Sequence, residues 1–207
     1  MPGRMMRRRT SQQQQEAEPT PPPQPPAEPD TPPPPADASR EEKRCHRLRA
    51  ASLGRNVRVQ FMLERIRLLG CDTGPAREFV QCTAASRAGA LGDKMVGGFV
   101  AHDPSAGGTY APRVIMVAEH NPDRSVFDRA LVHELVHAYD QCRAKIDWKE
   151  ASHHACAEIR ASSLSGECDL SQEINRGRWG LAGHHGACVR RRAALSLALA
   201  GRPDPEA

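Results

Sequence analysis

The hydrophobic positions of the chain predict helices on either side of a middle section that is richer in strands. Between residues 41 and 69, large apolar residues recur at spacings near three and four, which is the period of one helix face. They are Leu48, Leu53, Val57, Phe61, Leu63, Ile66, Leu68 and Leu69. This spacing predicts one or two amphipathic helices that end at Gly70.

Three short segments have the composition of β-strands. They cover residues 78–82, 95–100 and 113–118, and the last contains a Val-Ile-Met-Val run that is typical of a buried strand. A strand beside a catalytic helix can pair with an extended substrate if it forms a sheet edge. For residues 113–118 the pattern favours such an edge strand and an ordinary core strand equally.

The carboxyl-terminal half predicts further helices. Asn121-Pro122-Asp123 is a turn signal, so the next helix begins after it, with Ser125 as N-cap, and runs to about Cys142. Three more helices are expected from Trp148 or Ser152 to Leu164, over residues 169–176 and over residues 188–200. Together these elements predict an α+β domain that is mostly helical and has a small sheet.

The first forty residues differ in composition from the rest of the chain. Residues 11–39 contain a glutamine run and several proline clusters, with no aromatic residue and no aliphatic side chain larger than alanine. Such a segment favours polyproline II or disorder, because it has too little apolar surface to bury. We therefore predict a disordered, proline-rich arm over residues 1–40 and one folded domain over residues 41–202.

Charge and hydropathy narrow the range of partners. The net charge is +4, and the basic clusters at residues 7–9 and 190–192 are not interleaved with aromatic residues. Nucleic acid is therefore not expected as a partner. No apolar stretch approaches the ~18 residues that a transmembrane helix requires, so the sequence predicts a soluble or peripheral protein.

One motif carries most of the chemical information. His133 and His137 stand four residues apart in an apolar helix, with Glu134 between them, which is the H-E-x-x-H arrangement of zinc metallopeptidases. At this spacing both imidazoles lie on one helix face and can bind one Zn²⁺ ion. The neighbouring carboxylate can then accept a proton from an attacking water molecule. The motif therefore predicts hydrolysis, with Glu134 as the catalytic residue.

A catalytic zinc site usually has three protein ligands, so a further donor is needed. We favour Glu158, 21 residues after His137, because one loop and a returning helix can bring it back. His154 is the main alternative, and the remaining candidates are His153, Glu167 and the pair His184-His185.

Two nearby charged residues have predicted supporting roles. Asp140 either orients an imidazole as a hydrogen-bond acceptor or is a plain surface residue. Arg160 is expected in a buried salt bridge.

The seven cysteines include no Cys-x-x-Cys pair, which disfavours a structural zinc knuckle. An odd number leaves at least one thiol free if the others form bridges. Their density suggests an oxidising compartment.

Longer segments carry a resemblance to a known family. They are Leu131 to Asp140 (LVHELVHAYD), Ile146-Asp147-Trp148, His153 to Cys168 (HHACAEIRASSLSGEC), His184 to Ala193 (HHGACVRRRA) and Gly97-Gly98-Phe99. Over about residues 60–200 the chain is similar to the family of mitochondrial inner-membrane metalloproteases that process and assemble ATP synthase. It departs from that family at Ala85, where a cysteine often stands, and after Ala193, where a cysteine-containing tail has no counterpart.

The resemblance implies a zincin-like metallopeptidase on the intermembrane-space side of the mitochondrial inner membrane, peripherally associated with it. Its substrate would be the precursor of a mitochondrially encoded ATP synthase membrane subunit, and it would also assist assembly of the membrane sector. On this basis His133 and His137 are expected as zinc ligands and Glu134 as the catalytic residue. The alternatives are a non-catalytic assembly chaperone and a nuclear DNA-repair-associated factor.

Overall fold

The computed structural model describes residues 35–89, 92, 94–101, 112–144 and 146–201. Most of the predicted amino-terminal arm, residues 1–34, lies outside this range. The described part is mostly helical and contains a small sheet, so the predicted α+β class is confirmed.

The periodic segment at residues 41–69 forms two helices, as predicted. Helix α1 covers Arg40–Arg55 and helix α2 covers Val57–Leu68. Asn56 separates them, because its side-chain oxygen accepts hydrogen bonds from the backbone N–H groups of Arg58 and Val59 and so caps α2. A short helix α3, Ala76–Phe79, then leads into the sheet.

The sheet has the strand order β1-β3-β2. Strand β1 (Val80–Thr83) runs parallel to β3 (Arg113–Val117), and β2 (Gly97–Val100) runs antiparallel to it, with Phe99 opposite Val114. All three strands were predicted, with wider limits for β2 and β3 and with limits for β1 that begin two residues and end one residue too early. The edge position considered for residues 113–118 is wrong, because β3 is central. Among the described residues, β2 is the edge strand next to the motif helix.

The motif helix, α4, covers Arg124–Arg143 and packs against α2, α5 and the sheet. Its N-cap is Asp123 instead of the predicted Ser125. The Asp123 backbone is extended, and its carboxylate accepts a hydrogen bond from Val126 N at 3.0 Å. Ser125 lies inside the first turn. Side chains on several faces of α4 are buried, which places this helix in the core.

Three helices follow α4. They are α5 (Ala151–Leu164), α6 (Leu170–Asn175) and α7 (His184–Leu199). Helix α7 begins at His184, one turn before the predicted residue 188. The prediction was late because the first four residues, His-His-Gly-Ala, have no apolar periodicity. Helix α5 packs between α4 and α7.

Six of the seven cysteines form disulfides and Cys156 is an exposed free thiol, so the prediction of one free cysteine is confirmed. The bridges are Cys45–Cys82, Cys71–Cys142 and Cys168–Cys188. In the part of the chain that the structure describes, no helix combines the length and apolar character needed to cross a bilayer.

Candidate metal centre

Helices α4 and α5 bring two histidines and one glutamate to a single point. The Nε2 atoms of His133 and His137 lie 3.3 Å and 3.4 Å from the carboxylate oxygens of Glu158. Potential ligand atoms of the three residues all lie within 4.8 Å of one another. The structure therefore assembles the motif histidines with the third donor that the sequence favoured.

The distances from the two Nε2 atoms to the Glu158 oxygens match ligand separations around a small tetrahedral metal ion. Bonds of about 2.0 to 2.1 Å, typical of zinc with nitrogen and oxygen donors, give ligand-to-ligand distances of about 3.3 to 3.4 Å in a tetrahedron. Charge-assisted hydrogen bonds are shorter, about 2.7 to 2.9 Å. In addition, Oε2 of Glu158 and Nδ1 of His137 are buried and have no partner with hydrogen-bonding geometry among the described residues. The donor set therefore fits a metal.

The electrostatics of the cluster also favour a cation. Burial alone would lower the pKa of His133, but the nearby carboxylates of Glu158 and Glu167 and the charge of Glu134 raise it to about 10. Burial would raise the pKa of Glu158, yet the imidazoles of His133, His137 and His154 hold it well below its usual range. A position that attracts a proton so strongly has a negative potential, which equally attracts a metal ion.

Glu134 lies next to the edge strand β2. Burial raises the pKa of its carboxyl group, while the imidazoles of His133 and His137 lower it, as does a backbone hydrogen bond with Phe99. Gly97 of β2 lies next to this side chain. A Cβ atom there would be 3.6 Å from Cγ of Glu134, which is an ordinary contact, but only 3.0 Å from the carbonyl oxygen of Ile115 on β3. Glycine at this position therefore allows β2 to pack closely against β3.

The sequence that forms this site is similar to that of known proteins. The peptidase M76 family matches residues 43–203. This chain belongs to the peptidase M76 family. The match covers the helices that form the cluster and the sheet beside it.

Individual relatives support the same assignment. The chain is 38% identical over 158 residues to the mitochondrial inner membrane protease atp23 of Emericella nidulans, covering 75% of this chain and 59% of that protein. It is 33% identical to the mitochondrial inner membrane protease ATP23 of Malassezia globosa, covering 74% of this chain and 63% of that protein. It is also 33% identical to the mitochondrial inner membrane protease ATP23 homolog of Xenopus laevis, with coverages of 74% and 60%.

The chain therefore spans about three fifths of the length of these relatives. No solved structure matches it.

In this M76 chain, Glu167 is not among the three clustered donors. Its carboxylate instead accepts a hydrogen bond from Nδ1 of His133 at 2.9 Å, on the side of the ring away from Glu158. Its other oxygen accepts from Nε of Arg192 at 2.7 Å. Burial would raise the pKa of Glu167, but His133 and Arg192 lower it to about 2. From the sequence, Glu167 was predicted only as one of several possible metal ligands.

His154 and Trp148 form the other side of the cluster. Nε2 of His154 lies 3.3 Å from the same Glu158 oxygen that faces His137. The Trp148 ring packs edge-on against His137 with ring centres 5.5 Å apart, and against His154 at 6.0 Å. Trp148 also donates a hydrogen bond to Gln141 at 2.7 Å. His154 therefore borders the cluster and contacts its glutamate.

Asp140 contacts arginines instead of an imidazole. Its buried carboxylate accepts hydrogen bonds from Nε of Arg160 at 2.8 and 3.1 Å and from Arg143 at 3.3 Å. The expected salt bridge of Arg160 is therefore present, although the Arg160 side chain is 40% exposed. The structure does not place Asp140 as an imidazole acceptor, nor as a plain surface residue.

The remaining candidate histidines lie away from the cluster. His153 is exposed and accepts a hydrogen bond from Asp147 N. His184 contacts the carbonyl oxygen of Leu181, and His185 contacts the hydroxyl group of Ser163.

A cleft of about 380 Å³ opens onto His133, Glu134 and Glu158. Residues before and within β2 form one wall, and α7 forms another through Leu195 and Leu199. The cluster is thus accessible to a ligand in a groove with both apolar and charged walls.

Proposed function

We propose that this protein is a zinc-dependent metalloendopeptidase with a zincin-like fold. The observation that supports this most strongly is the convergence of His133, His137 and Glu158 at an open cleft with Glu134 beside them. Two imidazoles and one carboxylate form a ligand set found in catalytic zinc sites, which keep one position open. Membership of the peptidase M76 family supports the same activity.

His133, His137 and Glu158 would hold the zinc ion. When bound, zinc supplies Lewis-acid polarisation of a carbonyl oxygen and lowers the pKa of water. The three donors come from two helices that pack against each other, and His137 and Glu158 are almost completely buried. Their positions are therefore fixed by the core.

Glu134 is the proposed general base and acid. Its carboxylate would take the proton from the water that attacks the peptide carbonyl carbon, and would then donate it to the leaving amine nitrogen. Burial, which raises its pKa, makes temporary protonation of this group easier. A backbone hydrogen bond with Phe99 of β2 would orient it.

The proposed substrate is a protein segment. We propose the precursor of a mitochondrially encoded ATP synthase membrane subunit, processed at the intermembrane-space face of the inner membrane by a peripherally associated enzyme that also assists assembly. The names of the relatives, mitochondrial inner membrane proteases, support the location. The resemblance of residues 153–168 to the ATP synthase processing family supports the substrate.

The test compares Glu134→Gln with the unchanged full chain, both loaded with zinc. The variant keeps the size of the side chain but cannot accept a proton. Loss of a general base typically costs about 10²- to 10⁴-fold in rate, so cleavage of the subunit precursor and of a quenched fluorescent peptide library should fall by this factor. Zinc content should stay the same.

Glu64→Gln is the control, because Glu64 is an exposed glutamate on α2 outside the cleft. Unchanged cleavage by Glu134→Gln would overturn the proposed mechanism. If neither the variant nor the unchanged chain cleaves while both support assembly of the membrane sector, the chaperone alternative replaces the protease.

A further inference from the structure

We propose that Glu167 is a positioning residue for His133, and that Arg192 and the Cys168–Cys188 disulfide hold it in place. This role rests on the proposed metal site and adds to it a residue that binds no metal. Four structural features support it: the ring nitrogen that Glu167 contacts, the contacts that fix Glu167, the location of the disulfide, and the contrast with His137.

The two ring nitrogens of His133 face different glutamates. Nε2 points to Glu158 and the centre of the cluster, at 3.3 Å, whereas Nδ1 lies 2.9 Å from Oε1 of Glu167. An ionised carboxylate only accepts hydrogen bonds, so Nδ1 of His133 must carry the proton. With a proton held on Nδ1, Nε2 is the ring nitrogen that can donate its electron pair to a metal ion. Carboxylates in this position fix both the tautomer and the ring orientation of a histidine ligand.

Glu167 is itself held by its side chain and by its backbone. Its second carboxylate oxygen accepts hydrogen bonds from Arg192 at 2.6 and 2.7 Å. Its carbonyl oxygen accepts one from Arg176 at 2.7 Å. Glu167 is only 7% exposed, so water competes little for these contacts. The carboxylate therefore has little freedom to leave the imidazole.

The disulfide joins the two chain segments that carry this pair. Cys168 directly follows Glu167, and Cys188 precedes Arg192 by four residues, about one turn of α7. Both sulfurs belong to fully buried residues. Gly166, with φ of +86°, turns the chain after α5 so that Glu167 can point back to α4. The bridge therefore sets the distance between Glu167 and the helix that carries Arg192.

His137 shows that this contact is particular to His133. Nδ1 of His137 is buried and has no hydrogen-bond partner among the described residues. The orientation of His137 comes from packing against Trp148 instead. Within the described ranges, a carboxylate therefore orients His133 but not His137, and His133 stands next to Glu134 in the sequence.

The first experiment measures zinc affinity of the full chain by competition with a chromophoric chelator. Changing such outer residues typically weakens metal binding about 10- to 100-fold, so we expect a loss in this range for Glu167→Ala and a smaller one for Glu167→Gln, whose amide oxygen still accepts from Nδ1. Asp140→Asn is the matched control. Asp140, like Glu167, has a buried carboxylate that accepts a hydrogen bond from an arginine, but among the described residues it contacts neither His133 nor His137. The zinc affinity of this variant should match that of the unchanged chain.

The second readout is the nitrogen NMR spectrum of the zinc-bound protein, which reports the imidazole tautomer directly. The unchanged chain should show His133 protonated at Nδ1 in a single form, and Glu167→Ala should show line broadening or a second form. A merely structural loss would not alter one ring selectively. Glu167→Ala with unchanged zinc affinity and an unchanged His133 signal would overturn the proposal.

A third variant tests the disulfide and covers the case in which Glu167 variants fail to fold. Cys168→Ser combined with Cys188→Ser should weaken zinc binding in the same direction as Glu167→Ala. The control is Cys45→Ser with Cys82→Ser, a bridge between α1 and β1 far from Glu167 in the sequence. Equal zinc affinities for the two double variants would contradict the role of the Cys168–Cys188 bridge.

His133→Ala separates this proposal from the proposed function. If His133→Ala still binds zinc with full affinity, the metal site itself is wrong. If His133→Ala loses zinc while Glu167→Ala changes neither the zinc affinity nor the His133 signal, only the positioning role fails.

Discussion

His133 and His137 lie one turn apart on α4, yet the surroundings of the two rings differ. The His133 side is ionic: Glu167, Arg192 and Arg176 link it to α7 and to the loop after α5. The His137 side is aromatic, with Trp148 against the ring and the Asp140–Arg160 pair one turn further along. One side of the site is fixed by directed hydrogen bonds, and the other is fixed by packing.

The difference shows that the surroundings of a short motif depend on the neighbouring elements and not on the motif itself. The helix places both imidazoles on one face, but their second nitrogens point to different neighbouring elements. Substitutions on the ionic side should therefore weaken metal binding and leave the hydrophobic core intact. Changes on the aromatic side should instead affect stability more than metal binding.

The largest expected effect comes from removing the metal that would join the two sides. A ligand present at about 1,000 times its dissociation constant stabilises the folded state by about 4 kcal/mol. For a domain of this size each kcal/mol shifts the melting temperature by about 2–4 °C, so zinc should raise it by roughly 8–16 °C. Thermal unfolding with zinc and with excess chelator measures this shift.

His133→Ala and His137→Ala are the controls for that measurement. Each variant should lose most of the zinc-dependent shift, whichever side of the site it removes. A shift that persists in both variants would show that the stabilising zinc binds elsewhere.

A smaller effect is expected from Arg160→Ala on the aromatic side. The variant leaves the buried carboxylate of Asp140 with Arg143 as its remaining partner at 3.3 Å. An incompletely satisfied buried acceptor costs about 1–3 kcal/mol, so the free energy of unfolding in urea should fall by this amount. Zinc affinity should not change, because Asp140 contacts no imidazole in the described part of the chain.

Arg143→Ala provides the comparison for Arg160→Ala. Arg143 is 47% exposed and makes the longer contact, so its loss should cost no more than about 1 kcal/mol. Weaker zinc binding in Arg160→Ala would mean that the two sides are coupled, contrary to the comparison.

The smallest effect is expected from Trp148→Phe. Phenylalanine keeps an aromatic ring beside His137 but removes the hydrogen bond from the indole N–H to Gln141. A hydrogen bond of this type contributes about 0.5–1.5 kcal/mol to the free energy of unfolding. Urea unfolding should show a loss of this size with little change in zinc affinity.

Trp179→Phe serves as the control, since Trp179 is 73% exposed. Exposed substitutions usually stay within about 0.5 kcal/mol of the unchanged protein. Equal losses in the free energy of unfolding for the two tryptophan variants would show that the hydrogen bond from Trp148 to Gln141 does not stabilise the fold.

Much of the fold could be predicted because it depends on local spacing. The period of the apolar residues identified α1 and α2, the Val-Ile-Met-Val run identified β3, and two short candidate segments correspond to β1 and β2. Helix starts were less predictable: Asp123 replaced Ser125 as the cap of α4, since both residues are good caps and packing selected one. The order of the strands was not predictable, because it depends on contacts between segments far apart in the chain.

At the site, local sequence spacing is enough to place His133 and His137 on one helix face with Glu134 next to His133. Helical geometry fixes residues four apart on one face, so no tertiary contact is needed to bring the two imidazoles together. The sequence also supplied several candidates for a third donor, with Glu158 favoured among them.

The contacts of the other polar residues depend on the tertiary structure. It placed Glu158 in the cluster, directed Glu167 to the far nitrogen of His133, and paired Asp140 with Arg160. Glu167 and Asp140 are both acidic residues that lie near the motif in the folded protein, and no local sequence pattern predicts their different partners. Their partners depend on how α5, the loop after it and α7 pack against α4, and on the Cys168–Cys188 bridge. Those contacts form between elements that the chain separates by loops, so the spacing of residues cannot specify them.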